Sequence, residues 1–196
     1  MNIKLLGRLF SLFLSVMLVT ALSSCDNSDD PEPPADDSKF DLTIEGNITA
    51  NTTLDATKRY LLKGKVYVQS GATLTIPAGT KVFGDKATQG TLVINRGGKI
   101  DARGTASNPI IMTSSADQGF RNRGDWGGVV ICGRAYTNGN ANSAIEGITA
   151  SGNDNGTYGH GTNAPVEDDN SGTMEFVRIE FAGIPLSQDN ELNSLT

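Results

Sequence analysis

The sequence has little of the residue types that most catalytic and metal sites require. It contains one histidine, two cysteines and one tryptophan in 196 residues, and aromatic residues make up 6% of the chain. A metal site built from several histidines is therefore excluded, and a Ser-His-Asp triad would have to use His160, which we expect to be solvent-exposed in its glycine-rich segment. No phosphate-binding loop or dinucleotide-binding fingerprint is present, because the glycine-rich segments lack the Gly-Lys-Ser/Thr ending and the strand-to-helix context.

The first 24 residues have the organisation of a secretory signal peptide. Lys4 and Arg8 provide a positive start, an apolar run follows over residues 9–21, and small residues precede Cys25. The apolar run is too short to span a bilayer comfortably. Its Leu-Ser-Ser-Cys ending resembles the lipobox of bacterial lipoproteins, which implies that Cys25 is acylated and becomes the mature N-terminus. An ordinary cleavable signal that contains a cysteine is the alternative.

An acidic, proline-rich stretch follows Cys25. Residues 26–30 resemble the surface-export signal of Bacteroidetes lipoproteins, which implies an outer-membrane lipoprotein that faces the cell exterior; a simple solvated tether is the alternative. Residues 26–38 contain no aliphatic residue larger than alanine, so they cannot bury enough surface to fold. We therefore expect a signal peptide at 1–24, a lipidated cysteine with a disordered tether at 25–41, and a folded part at 42–196.

Charge and cysteine content limit the partners and the chemistry. Loss of the leader leaves 14 of the 16 basic residues against 22 acidic ones, a formal charge of −8. This balance argues against nucleic acid, and against binding to an acidic membrane surface by charge. With Cys25 acylated, Cys132 has no partner for an intramolecular disulfide. Its place in the run Val-Val-Ile-Cys predicts a small buried hydrophobe.

The folded part is a succession of short β-rich runs, with almost nothing at helical spacing. Their links lack the Asn-Gly and Asp-Gly signals of two-residue hairpins, which indicates successive turns of a coil. The predicted strands lie at 66–68, 73–76, 81–83, 91–94, 99–101, 110–113, 128–132 and 177–181.

A weak internal repeat supports a coil. Residues 68–76 align with residues 94–102 at an offset of 26 residues. Coils of this length bury their apolar rows only by stacking, so we expect Leu74 over Ile100 and Val68 over Ile94.

Two local patterns give further expectations. Pro77-Ala78-Gly79 fits a type I turn with proline in its second position. Near the C-terminus, Val177, Ile179 and Phe181 alternate with charged residues, as in a strand with one buried face.

Four segments carry a family resemblance: 60–68, 71–80, 125–135 and 169–183. They resemble the successive signatures of a Bacteroidetes surface lipoprotein family with a pectin-lyase-like, right-handed parallel β-helix, which implies an all-β solenoid. The family is mostly without an established activity, and the fold does not transfer lyase chemistry. Because no cap over the last coil is recognisable before Thr196, we expect this sequence to be the N-terminal part of a longer β-helix.

The long segment 133–172 is the first candidate for function, because long loops on rigid scaffolds are often functional. It is rich in Gly, Asn and Asp, and it offers hard oxygen donors of the kind that calcium binds. A weak calcium site is one hypothesis and a solvated acidic turn is the other. The donors are Glu146, Glu167, Asp168, Asp169 and Asn170.

A second candidate site lies just before the 128–132 strand, at Arg121, Arg123, Asp125 and Trp126. An arginine could grip a carboxylate bidentately, and a tryptophan could stack on a sugar ring. Polysaccharide lyases of the β-helix type use calcium to neutralise a uronate and an Arg or Lys as base, and these residues are the nearest counterpart. Since Trp126 also opens an apolar run, packing in the core is the alternative.

The leading functional hypothesis is a non-catalytic, lipid-anchored surface protein whose β-helix binds a glycan or an envelope protein. Its partners would be outer-membrane lipid, through acylated Cys25, and that ligand. A polysaccharide lyase or hydrolase, calcium-dependent if it is a lyase, is the enzyme alternative. A rigid structural spacer is the third hypothesis.

Overall fold

The computed structural model describes residues 39–148, 154–187 and 190–196. The signal peptide expected at 1–24, Cys25 and most of the expected tether lie outside these ranges. The described residues form β-strands and loops, without an α-helix. Accordingly, no helix among them is long and apolar enough to cross a membrane.

Most strands pair in parallel with a strand one coil further along the chain. Two short antiparallel pairs, β10 with β11 and β14 with β15, lie outside the main sheets. The strands are β1 Leu42–Ile48, β2 Thr52–Thr53, β3 Arg59–Val68, β4 Thr73–Pro77, β5 Lys81–Gly84, β6 Thr91–Ile94, β7 Lys99–Arg103, β8 Ile110–Ser114, β9 Gly128–Ile131, β10 Ser143–Ala144, β11 Thr157–Tyr158, β12 Gly172–Glu175, β13 Val177–Ile179, β14 Pro185–Ser187 and β15 Asn190–Glu191.

Three walls of parallel strands surround the core. The first half of β3 with β5, β8 and β13 forms the first wall, and the second half of β3 with β6 and β9 forms the second. The third wall consists of β2, β4, β7 and β12. The partner of β3 changes around Gly64, whose φ of 61° lies in the left-handed region that favours glycine. The chain passes from wall to wall and stacks on itself, so the predicted parallel β-helix is confirmed.

The predicted register is also confirmed. Leu74 lies beside Ile100, and Val68 lies beside Ile94. The 26-residue offset does not hold in every wall, however, because loops of different length join the walls. Arg59 pairs with Lys81 at an offset of 22 residues, which explains why the repeat is weak in the sequence.

The inner core runs along the axis of the β-helix. Alternate residues of each strand point inward, so like side chains stack from coil to coil. Complete burial of one such aliphatic side chain contributes roughly 1.5–3 kcal/mol. The inner core includes Leu62, Val66, Val68, Leu74, Ile76, Val82, Leu92, Ile94, Ile100, Ile110, Met112, Trp126 and Val129.

The turn after β4 begins one residue later than predicted. The Thr80 N–H donates to the Pro77 carbonyl over 3.2 Å, so proline occupies the first position of the turn. Gly79 is then in the third position with a φ of 82°, which is typical of a type II turn. The shift arises because Pro77 still belongs to β4 and pairs with Arg103.

The expected strand over 177–181 is wrong at its C-terminal end. Val177 and Ile179 pack against the inner core, but the strand ends at Ile179 and Phe181 is 40% exposed. Phe181 has a φ of 59°, so the alternation breaks there. Ala182 enters the core instead and forms a bridge with Trp126.

The last residues of the expected tether belong to the folded part. The Phe40 ring lies 5.0 Å from the Phe83 ring, measured between centroids. The Asp41 N–H donates to the Arg59 carbonyl over 2.9 Å, and the Asp41 carboxylate accepts from the Arg59 N–H. An aromatic ring and a continued backbone ladder therefore attach residues 39–41 to the first wall.

The close approach of Trp126 to Gly84 gives a stability prediction. A Cβ at Gly84 would overlap with Cγ and Cδ2 of the fully buried indole, so Gly84→Ala should lower the free energy of unfolding by about 1–3 kcal/mol. Gly139→Ala is the matched control, because a Cβ there meets no atom within 4 Å. Urea unfolding of both variants tests this prediction, and equal midpoints would contradict it.

Candidate functional site

Trp126 lies in the inner core. The side chain is 0% exposed, and its Nε1–H donates to the Glu180 carbonyl over 2.8 Å. No face of the ring is free to stack on a sugar, so the proposed stacking role is replaced by the packing alternative. The apolar run that begins at Trp126 contributes to the core because β9 lies between β6 and the C-terminal segment.

Asp125 is buried beside Trp126 and organises the preceding turn. Its carboxylate accepts from Ser114 Oγ over 2.6 Å and from the Asn122 N–H over 2.9 Å. Lys86 Nζ lies 3.6 Å away and supplies a positive charge. These partners hold the 122–125 turn against β8, so Asp125 has a structural role and does not face a ligand.

The two arginines of the same segment differ in their surroundings. Arg121 Nε donates to the Ala116 carbonyl over 2.9 Å, and the guanidinium carbon lies 5.9 Å from the centroid of the Phe83 ring. Arg123 is exposed. Within the described ranges, neither arginine forms an ion pair with a carboxylate. Of the four residues predicted before β9, the structure therefore leaves only the arginines accessible.

Arg121 belongs to a larger group of cations and aromatic rings on the outside of the first wall. The Arg59 guanidinium carbon lies 5.5 Å from the Phe40 centroid and 5.2 Å from the Phe83 centroid. Such contacts are attractive because the face of an aromatic ring carries negative potential. We call this group the cationic face; its members are Lys39, Phe40, Arg59, Lys81, Phe83 and Arg121.

The β-helix brings the cationic face together from four parts of the chain. Arg59 and Lys81 are paired neighbours in adjacent coils, so their backbones are about 4.8 Å apart. Phe83 follows Lys81 on the same side of the strand, two residues later. Arg121 reaches the ring from the segment after β8, and Phe40 packs on it from the start of the fold.

The cationic face carries four cations, and two carboxylates, Asp41 and Asp117, lie beside it. Lys39 has a counterion, since its Nζ lies 3.0 Å from Asp117 Oδ1. Across the described parts of the chain, Arg59, Lys81 and Arg121 form no ion pair with a carboxylate. Their positive charge is therefore available to an external anion, and arginine can bind a carboxylate or sulfate with two parallel hydrogen bonds. The 22-residue offset from Arg59 to Lys81 is the sequence signal that could have revealed this face.

The long segment 133–172 covers an apolar stripe on the outside of the second wall. Tyr67, Val93 and Val130 are paired neighbours that point outward, yet each is at most 8% exposed. Ile145, Ile148 and Tyr158 pack over them, so much of this segment forms a structural cover. We call the buried group the outer cluster: Tyr67, Val93, Val130, Cys132, Ile148, Ile184 and Leu192.

Polar contacts attach this cover to the corner after the second wall. The side-chain oxygen of Asn155 accepts from Asn95 Nδ2 over 2.7 Å and from Gln69 Nε2 over 3.0 Å. The Gly156 N–H donates in turn to Asn95 Oδ1. Lys65 Nζ donates to the Gly147 carbonyl over 2.6 Å. The buried side-chain amides of Asn95 and Asn155 form these hydrogen bonds only when the long segment lies against the second wall. The bonds therefore stabilise this placement of the segment.

Cys132 is buried within the outer cluster, as predicted. Burial raises the pKa of the Cys132 thiol to about 11, although the positive charge of Arg96 opposes the shift. The thiol is therefore protonated at neutral pH. Because the thiolate is the reactive form, Cys132 acts as a packing residue in the folded protein.

The carboxylates predicted to bind calcium do not converge. Asp169 accepts hydrogen bonds from the Arg134 N–H over 2.8 Å and from Arg134 Nε over 3.0 Å. Glu146, Glu167 and Asp168 are exposed. The residues that the structure describes contain no group of three or more His, Cys, Asp or Glu side chains that could hold a metal ion. The Arg134 guanidinium thus pairs with Asp169, where the calcium hypothesis placed a calcium ion.

The fold agrees with the comparison to known families. Residues 46–196 match the family described as the pectate-lyase-like β-helix domain, and the chain belongs to this family. No curated protein and no solved structure matches the chain significantly.

The Arg134–Asp169 pair allows the two hypotheses for the long segment to be compared. The Asp169 side chain is 5% exposed and accepts two hydrogen bonds from Arg134. Because Asp169→Ala removes both bonds, we expect the free energy of unfolding to fall by about 1–3 kcal/mol. Asp168→Ala, at the exposed neighbour, should change it by less than about 0.5 kcal/mol. Thermal unfolding with and without EDTA completes the test. A lower Tm in EDTA, or equal effects of both substitutions, would favour a calcium site.

Proposed function

We propose that this protein is a lipid-anchored, non-catalytic β-helix scaffold that binds an anionic glycan at the cell surface. The cationic face carries the proposal. Arg59, Lys81 and Arg121 form no ion pair with a carboxylate among the described residues, and the two arginines lie against aromatic rings on this wall. A chain with a formal charge of −6 would otherwise repel a polyanion, so a localised positive face is a specific feature.

The chemistry of the face suits carboxylated or sulfated sugars. Arg59 and Arg121 both approach the Phe83 ring, which limits the conformations of their long side chains. A guanidinium that is already ordered loses less entropy when it binds an anion. The spacing of about 4.8 Å between coils allows neighbouring cations to contact one extended polymer rather than one small ion.

A lyase or hydrolase of the pectate-lyase-like class is the second candidate, which the family membership favours. Within the described residues, the segment most similar to a lyase site offers Arg121 and Arg123, whereas Asp125 and Trp126 are buried. Incubation of the full chain with polygalacturonate and calcium distinguishes the candidates. Release of an unsaturated product, detected by its ultraviolet absorbance, would support the lyase and contradict a scaffold without catalysis.

The proposed location rests on the N-terminal sequence. Acylation at Cys25 would give an outer-membrane lipoprotein of the Bacteroidetes type, and residues 26–38 would separate the β-helix from the lipid. One acyl chain gives only marginal membrane binding, at about 0.8 kcal/mol per buried methylene, so a stable anchor requires more than one chain. The acidic residues 26–30 support display on the exterior.

The cationic face predicts which substitutions weaken glycan binding. Arg59→Ala combined with Arg121→Ala should weaken binding to polygalacturonate or heparin by at least about tenfold, since two charge-assisted contacts are lost. Lys99→Ala combined with Arg103→Ala removes the same charge from the third wall and should have a much smaller effect. Isothermal titration at two salt concentrations measures both variants. Equal losses would indicate non-specific attraction and contradict a defined face.

The anchor predicts different roles for the two cysteines. Cys25→Ala should abolish incorporation of a labelled fatty acid and release the protein from the outer-membrane fraction. Cys132→Ala should leave both unchanged, because Cys132 is a buried packing residue. Metabolic labelling and membrane fractionation in a Bacteroidetes host provide the measurement. Membrane retention of Cys25→Ala would contradict the proposed anchor.

A further inference from the structure

An exposed aromatic pair lies on the long segment, apart from the cationic face. The rings of Tyr136 and His160 are nearly parallel, with 10° between their planes and 6.4 Å between their centroids. Tyr136 is 65% exposed, although a large aromatic ring gains more by being buried. His160 is half-buried beside it. Neither ring is part of the inner core or of the outer cluster.

Hydrogen bonds hold the segments that carry the two rings close to the end of β9. The Gly159 N–H donates to the Gly133 carbonyl over 2.9 Å, and the Gly161 N–H donates to the Ala141 carbonyl over 2.7 Å. His160 lies between these two glycines. On the other side, Arg134 is paired with Asp169, two residues before Tyr136. The backbone beside the two rings is therefore held in place before any ligand arrives, which lowers the entropy cost of binding.

The hydrogen bond of His160 determines which polar atom is available. Nδ1 lies 2.7 Å from the Asn163 carbonyl oxygen. Because a carbonyl oxygen only accepts, Nδ1 carries the proton, and Nε2 of the neutral ring remains an acceptor. The neighbouring exposed side chains, Thr162 and Asn163, are short, polar and uncharged. The nearby guanidinium groups of Arg96 and Arg134 are each paired with an aspartate. Two apolar ring faces with a hydroxyl acceptor at their edge therefore lie among charges that are already compensated.

We propose that Tyr136 and His160 form a binding site for a neutral pyranose ring of a glycan. The apolar face of the sugar would stack on Tyr136, and one hydroxyl would donate to Nε2 of His160. Because the arginines around the site are already paired with carboxylates, a neutral sugar is favoured over the anionic ligand of the cationic face. The site therefore does not depend on the function proposed above. A proline-rich peptide could also pack on exposed aromatic rings, but it would leave the Nε2 acceptor unused.

The single histidine makes the pair directly observable. His160 supplies the only imidazole signals in the NMR spectrum of the chain, and the ring current of a parallel Tyr136 should displace its Hε1 resonance. Tyr136→Leu should return this resonance towards its value in a free peptide. An unchanged resonance would contradict the pair itself.

Titration of the full chain with neutral β-linked oligosaccharides (cello-, xylo-, manno- and laminari-oligosaccharides) tests the ligand. At least one should shift the His160 resonance in a saturable manner, and Tyr136→Leu should weaken that binding by about tenfold, as expected for a lost aromatic contact. Tyr136→Phe should retain it. Phe120→Leu is the matched control, since Phe120 is 62% exposed elsewhere on the surface.

Each outcome decides the proposal. Arg59→Ala with Arg121→Ala should leave the titration unchanged, which separates this site from the cationic face. No saturable shift with any of the four oligosaccharides at millimolar concentration would overturn the proposal. A response to a proline-rich peptide alone, or an equal loss in Phe120→Leu, would overturn it as well.

Discussion

Stacking of like side chains from one coil to the next is the constraint on which this structure depends. Leu74 beside Ile100, and Val68 beside Ile94, place the backbone ladder and the inner core in the same register. A shift of one residue would turn every inward side chain outward, so ladder and core reinforce each other. Glycines at the corners, such as Gly64 and Gly79, allow the chain to leave one wall and enter the next.

The same stacking places apolar side chains on the outside of the second wall. Tyr67, Val93 and Val130 stack as regularly on the outside as the core residues do on the inside, which would leave an apolar stripe in water. The long segment after β9 resolves this problem by folding back, with Asn155 fixed to Gln69 and Asn95. A segment whose length indicated function thus stabilises the fold first, and its exposed aromatic pair is carried on that cover.

In the first wall, the same regular stacking places charged side chains next to one another. Adjacent coils place Arg59 beside Lys81, and the guanidinium groups of Arg59 and Arg121 lie against the Phe83 ring. A ring attracts a cation without neutralising its charge, whereas an ion pair would cancel it. The inner core can therefore stay apolar while the surface displays positive groups at intervals set by the strand spacing. Extended surfaces of this kind serve binding in other solenoid proteins.

The sequence by itself determined the positions of β4 to β9, the 26-residue register and the burial of Cys132. Each of these depends on local apolar patterning and glycine spacing, which short segments express directly. Only the tertiary structure decided the burial of Asp125 and Trp126. The sequence of the loop that carries them does not reveal which coil will cover these side chains. The cationic face, the docking of Phe40 and the Arg134–Asp169 pair were likewise decided there, since they join residues that loops of unequal length separate.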